Sequence, residues 1–177
     1  MNLELGSALQ GGKYRIEKVL AQGGFGITYL AEQKIEVVGA IGKINTIYKV
    51  TIKEFFMKDF CDRNSFTSHI SVGSSGSRSL VNAFKAKFFK EAQNIAKLDH
   101  GNIIKVFDVF EENDTAYYVM EYIEGGSLND RIAEYGLMSE IEALHYIRQI
   151  ADALRYIHGK KMNHLDVKPS NILIDEG

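Results

Sequence analysis

A chain of 177 residues and 19.9 kDa has room for one domain or for two small lobes sharing a seam. Hydrophobic residues at 45% can supply a core, and a formal net charge of −2 excludes an electrostatic argument for nucleic acid or an anionic membrane as partner. The single cysteine, Cys61, forbids an intrachain disulfide; the first residues show no secretory pattern, and no apolar run approaches the roughly 18 residues that span a bilayer, so a cytoplasmic protein with no membrane segment is expected.

The first third reads as strands. Tyr14 to Leu20 and Gly26 to Gln33 carry alternating apolar residues, and AQGGFG (21–26) turns tightly between them. Residues 38–43, VGAIGK, suggest the turn before a third strand, Ile44 to Phe56. Residues 64–79 change character: eight of residues 65–79 are Ser or Thr, which predicts a flexible connection. Leu80 to Leu98 reads as a helix. At about 100° per residue from Phe84, the side chains of Leu80, Phe88, Ile95 and Leu98 fall within about 40°. Glu91 falls in the middle of that stripe, where a carboxylate must be desolvated unless it has a cation or the helix edge is open to water. Two more strands follow, Ile103 to Phe110 and Ala116 to Tyr122, then a glycine connector and a short helix, Leu128 to Tyr135. Ser139 and Glu142 form a capping-box signature opening a helix to His158 that Gly159 ends. HLDVKPSN (164–171) is loop, and Ile172 to Ile174 is a short strand.

Three groups carry chemistry. Amides in a glycine turn can approach phosphate oxygens because no Cβ intervenes, although glycine turns are also common in hairpins. This one joins strand to strand, so it is not the strand-to-helix turn of a dinucleotide fold. Lys53 in VTIK (50–53) shares a strand face with Thr51. Alone it reads as a solvated surface lysine, but Glu91 needs a cation and each resolves the other's problem. In HLDVKPSN, Asp166 can accept a hydroxyl proton, Lys168 can neutralise a phosphoryl group and Asn171 offers a neutral oxygen suited to Mg²⁺. Taken alone, that loop also reads as a polar turn.

Together these stretches resemble the protein kinase family. The glycine loop is LAQGGFGITY (20–29), the lysine element VTIK, the helix glutamate Glu91 in FFKEA (88–92), the hinge VMEYIEGGSL (119–128) and the catalytic loop HLDVKPSN, all in the family's order. The resemblance implies an α+β kinase-like fold: a five-stranded antiparallel N-lobe with its helix over residues 8–122, then the hinge and the beginning of a helical C-lobe over 123–177. It implies an ATP-dependent serine/threonine kinase using ATP and Mg²⁺ on a protein substrate. In that reading Asp166, Lys168, Lys53 and Glu91 are the catalytic set and Asn171 holds metal. Ala21, Gly23, Gly24, Phe25, Gly26, Thr28, Thr51, Lys53, Met120, Glu121, Ile123, Ser127 and Leu173 surround the nucleotide. Met120 would be the gatekeeper. Lys168, two residues after the aspartate, resembles serine/threonine rather than tyrosine kinases, and GGFGITYLAE resembles bacterial members.

The sequence departs from the family's pattern at several places. Ala21 stands for the first glycine of the loop, Thr28 and Thr51 for apolar residues around the base, Leu165 for an arginine and Gly101 for a proline after His100. Without the arginine, the family's usual clamp on a phosphorylated activation loop is missing. No D-F-G aspartate occurs within these residues, from which weak or no transfer by this chain alone is expected. A helix over 139–158 would carry large apolar side chains that nothing here covers, each worth roughly 1.5–3 kcal/mol when buried, so self-association through that face is expected. The alternative to an enzyme is a non-catalytic nucleotide-binding or interaction module.

Overall fold

The computed structural model describes residues 2–39 and 42–175. The chain divides into two units, Met1–Lys97 with Lys105–Tyr122, and Leu98–Ile104 with Ile123–Gly177.

The first unit is built on a six-stranded antiparallel sheet, not the five strands expected. Its strands are β1 (Ala8–Leu9), β2 (Tyr14–Gln22), β3 (Gly26–Gly39), β4 (Gly42–Phe55), β7 (Val106–Glu112) and β8 (Thr115–Glu121), in the order β1-β2-β3-β4-β8-β7. The added strand is two residues long, too short for alternation to reveal. The turn expected at 38–43 includes residues 40 and 41, which lie outside the described residues; Gly39 and Gly42 pair on either side of them. Strand alternation places Ile52 opposite Tyr29 and Val119, all fully buried. β-branched and aromatic residues in this register form the core.

Residues 64–79 are not a flexible connection. Cys61–Arg63 (β5) and Ile70–Val72 (β6) pair as a hairpin, and helix α1 (Ser75–Ile95) starts three residues later, capped by the Ser74 side chain accepting from the Ser77 amide. The reason lies across the sheet. Glu54, the neighbour of Lys53 on the opposite face of β4, is 0% exposed. Arg63 Nη2 donates to its carboxylate at 2.7 Å, and the hydroxyls of Tyr29 and Tyr117 donate at 2.8 and 2.7 Å. Burial, and then the Glu54 charge, pushes both tyrosine hydroxyls above their ordinary range. A buried carboxylate is tolerated because a cation and two hydroxyls satisfy it. Arg63 Nη1 also donates to the Ser68 carbonyl at 2.8 Å, and the amide of Ile70, its cross-strand partner, donates to the Asn113 carbonyl, so the loop end of the hairpin is fastened.

The second unit holds α2 (Leu128–Tyr135) and α3 (Glu140–Gly159). Ser127 and Asp130 make a reciprocal capping box on α2. At α3 only half of the expected box forms: Ser139 accepts from the Glu142 amide, while the Glu142 carboxylate takes Arg131 at 2.7 Å. Gly159 is the last residue of α3 rather than its terminator, and Lys161 takes the positive φ, 59°, that turns the chain away. In place of a strand at 172–174, a single bridge joins Leu173 to Ser127. His100 is structural, as expected: Nε2 lies 3.1 Å from Asp152 and its ring packs on Tyr156. No described helix is long and apolar enough to cross a membrane.

Candidate active site

In the first unit the glycine turn is shaped by crowding. A Cβ on Gly26 would stand 2.8 Å from the Glu54 carbonyl oxygen, a backbone atom that cannot swing aside, so only glycine fits. The Gly23 amide donates to the Gly26 carbonyl at 2.9 Å and closes the turn. Among the described residues the amides of Gly24 and Phe25 donate to no protein acceptor, which leaves them, and not Gly23, to meet an anion. The carbonyls of Gly24 and Phe25 accept from the amides of Lys58 and Phe56, each at 3.2 Å. The Phe25 ring, 60% exposed, stacks on Phe84 of α1 with centroids 5.7 Å apart. Turn, β4 extension and helix are thus fastened together.

Lys53 faces Thr28 on one neighbouring strand and Tyr118 on the other. Thr51, buried, faces Leu30 and Met120. The backbone of Glu121 pairs with Val50, its carboxylate accepts from the Lys105 amide at 2.6 Å, and its own amide donates to the Lys105 carbonyl.

Glu91 corrects the sequence reading. It is exposed, and no ion pair joins it to Lys53 among the described residues. The buried residues of α1 are Val81 and Ala92, with Phe88 and Phe89 packed against the core. On a helical wheel that stripe is centred about 100° from Glu91. The carboxylate therefore stands at the stripe's edge and keeps its hydration without a cation partner.

In the second unit, Asp166, Lys168 and Asn171 converge. Lys168 Nζ lies 2.9 Å from the Asp166 carboxylate, and Asn171 Nδ2 donates at 2.9 Å to both the Asp166 carboxylate and its carbonyl. Lys168 first, and Asn171 next, hold the Asp166 carboxyl below the ordinary carboxylate range. Pro169–Asn171 forms a 3-10 turn that sets this spacing, and Leu165 takes φ 63°, a left-handed value strained for a side chain of its size. The Leu128 amide donates to the Ile172 carbonyl at 2.8 Å and the Ile174 amide to Gly126, tying the loop to the start of α2 through Ser127 and Leu173. Ile123, half-buried, opens this part of the second unit. Asn171, with its amide nitrogen engaged by Asp166, presents Oδ1 as a hard oxygen ligand. Mg²⁺ usually takes one or two such groups, with water and phosphate completing its shell, so the donor set fits. No group of three or more His, Cys, Asp or Glu residues able to hold a metal occurs among the described residues.

The antiparallel sheet with its helix and the D-x-K-x-x-N loop make a kinase-like α+β fold. The sequence profile described as protein kinase domain matches residues 39–177. The chain belongs to the protein kinase family. Serine/threonine-protein kinase PrkC of Bacillus subtilis (strain 168) is 34% identical over 164 residues, covering 93% of this chain and 21% of that protein. Calcium-dependent protein kinase 5 of Plasmodium falciparum (isolate 3D7) is 45% identical over 84 residues, 48% of this chain and 15% of that protein. The chain therefore spans about a fifth or less of the length of these relatives. Among solved structures, "PpkA-294 apo form" matches with a TM-score of 0.78 and 24% identity, covering 99% of this chain and 58% of that one, a likeness of fold.

Proposed function

We propose that this kinase domain transfers the γ-phosphoryl group of ATP to a serine or threonine hydroxyl of a protein. The observation that carries the reading is the convergence of Asp166, Lys168 and Asn171 in one short, strained loop. Phosphoryl transfer asks little covalent work of a protein; it needs positioning and charge neutralisation. The amides of Gly24 and Phe25 cover phosphate oxygens, and Lys53 neutralises the α- and β-phosphates. Thr28, Thr51 and Met120 border the base, to which the backbones of Glu121 and Ile123 offer hydrogen bonds. Asp166 orients the attacking hydroxyl and accepts its proton, which its ionised state at neutral pH permits. Lys168 offsets charge on the γ-phosphate. Asn171 holds a Mg²⁺ that, when bound, neutralises phosphate charge.

The test is transfer of labelled γ-phosphate from MgATP to a mixed protein acceptor by the intact protein. Asp166→Asn is expected to cut the rate by about 10²–10⁴-fold while nucleotide binding persists. Undiminished transfer would overturn the assignment. The unpaired Lys53 and Glu91 favour a second reading, a nucleotide-binding module without catalysis. Nucleotide affinity with no transfer in either form would select it.

A further inference from the structure

Lys53 and Tyr118 are direct cross-strand partners on β4 and β8, so their side chains rise from the same face of the sheet. The Lys53 ammonium stands 5.9 Å from the centroid of the Tyr118 ring, within reach of cation–π attraction. The ring is braced from behind: Phe88 of α1 packs on Tyr118 with centroids 5.1 Å apart, and Phe55 packs on Phe88 at 5.7 Å. Tyr118 cannot turn away from Lys53 without disturbing α1, the helix that carries Glu91. Glu91 lies three residues beyond Phe88, and its charge reaches the same tyrosine. Burial pushes the Tyr118 hydroxyl above its ordinary range, Lys53 pulls it back down and Glu91 adds to the rise. Tyr118 thus feels both charges while the two are not paired with each other.

We propose that Tyr118 is a positioning residue for Lys53, its ring competing with Glu91 for the ammonium and holding the lysine in an unpaired, waiting position. A partly buried cation–π contact and a solvent-exposed ion pair are of similar strength, so neither outweighs the other by much. A lysine held by a neutral ring keeps its full charge for a phosphate, but must leave the ring to reach both Glu91 and the nucleotide. The ring therefore sets a cost on nucleotide binding that a partner or a movement of α1 can remove. The proposal rests on reading Lys53 as the phosphate-binding cation.

The experiment uses the full chain and two readouts. The first is the nuclear Overhauser effect between the Lys53 ε-methylene and the Tyr118 ring protons in nucleotide-free protein. It is expected in the wild type, retained in Tyr118→Phe at the ring position and absent in Tyr118→Leu. The second is MgATP affinity by calorimetry for wild type, Tyr118→Phe and Tyr118→Leu, each also in a Glu91→Gln background, with Lys53→Met as control. Tyr118→Leu is expected to tighten binding about 3- to 10-fold when Glu91 is present, the gain vanishing with Glu91→Gln, while Tyr118→Phe stays near wild type. Absence of the Overhauser effect in the folded wild type overturns the contact. Unchanged or weaker binding in Tyr118→Leu, or a gain that survives Glu91→Gln, overturns the competition. Lys53→Met binding MgATP as tightly as wild type would instead sink the nucleotide role of Lys53, with the Overhauser effect still deciding the contact.

Discussion

In the proposed transfer Asp166 can act as a base only when its carboxyl is ionised, and Lys168, then Asn171, hold that carboxyl below its ordinary range. Activity should accordingly persist into mild acid and fall as pH drops through the depressed value. Lys168→Met removes the largest cause of the depression. Beyond slowing transfer, it should move the acid limb of the kcat/KM profile upward in pH; a limb that stays in place would show that Lys168 does not set the titration of Asp166. Gly26 makes a steric prediction at the same scale. Gly26→Ala drives a Cβ to 2.8 Å from the Glu54 carbonyl oxygen, so β3 and β4 must part locally. A loss of about 1–3 kcal/mol in denaturant unfolding, with weakened nucleotide binding, is expected. An alanine variant as stable as wild type would mean that the turn relaxes freely.

Among elements, the β5–β6 hairpin carries the most weight beyond its size. It occupies the connection between β4 and α1, and Arg63, whose side chain is 3% exposed, ties it to Glu54 beneath the sheet. Removing one partner of a buried pair strands the other charge, and Arg63→Ala should cost about 3–5 kcal/mol by equilibrium unfolding. Adding Glu54→Gln should recover part of that loss, because the stranded charge disappears and an amide can still bond the hydroxyls of Tyr29 and Tyr117. If the double variant is no better than Arg63→Ala alone, the charge is not what destabilises. The glycine turn is tied to the same region through the Lys58 and Phe56 amides and the Phe25–Phe84 stack, so hairpin, helix and turn form one mechanical group.

For the whole molecule, much of the plan was readable along the chain because its parts are local and ordered. Two strands around a glycine turn, a lysine in a β-branched run and an acid, a lysine and an amide within six residues each announce themselves without knowledge of distant contacts. What could not be read depends on partners far away in sequence. The serine-rich stretch at 64–79 is polar enough to be a linker; its order comes from Arg63 reaching Glu54 and from Ile70 reaching Asn113. Which way α1 turns is set by Phe55 and Tyr118, which select Val81, Phe88 and Ala92 for the inner face and leave Glu91 at the edge. Glu142 abandoned the predicted cap because Arg131, eleven residues earlier, offered a charge-assisted bond.

The most direct test of the central claim, that the glycine turn and Lys53 meet the phosphates of ATP, is amide hydrogen exchange with and without MgATP. The account predicts that MgATP slows exchange in residues 21–26 and that Lys53→Met abolishes the effect. Exchange in residues 21–26 unchanged at saturating nucleotide, or protection that survives Lys53→Met, would contradict it.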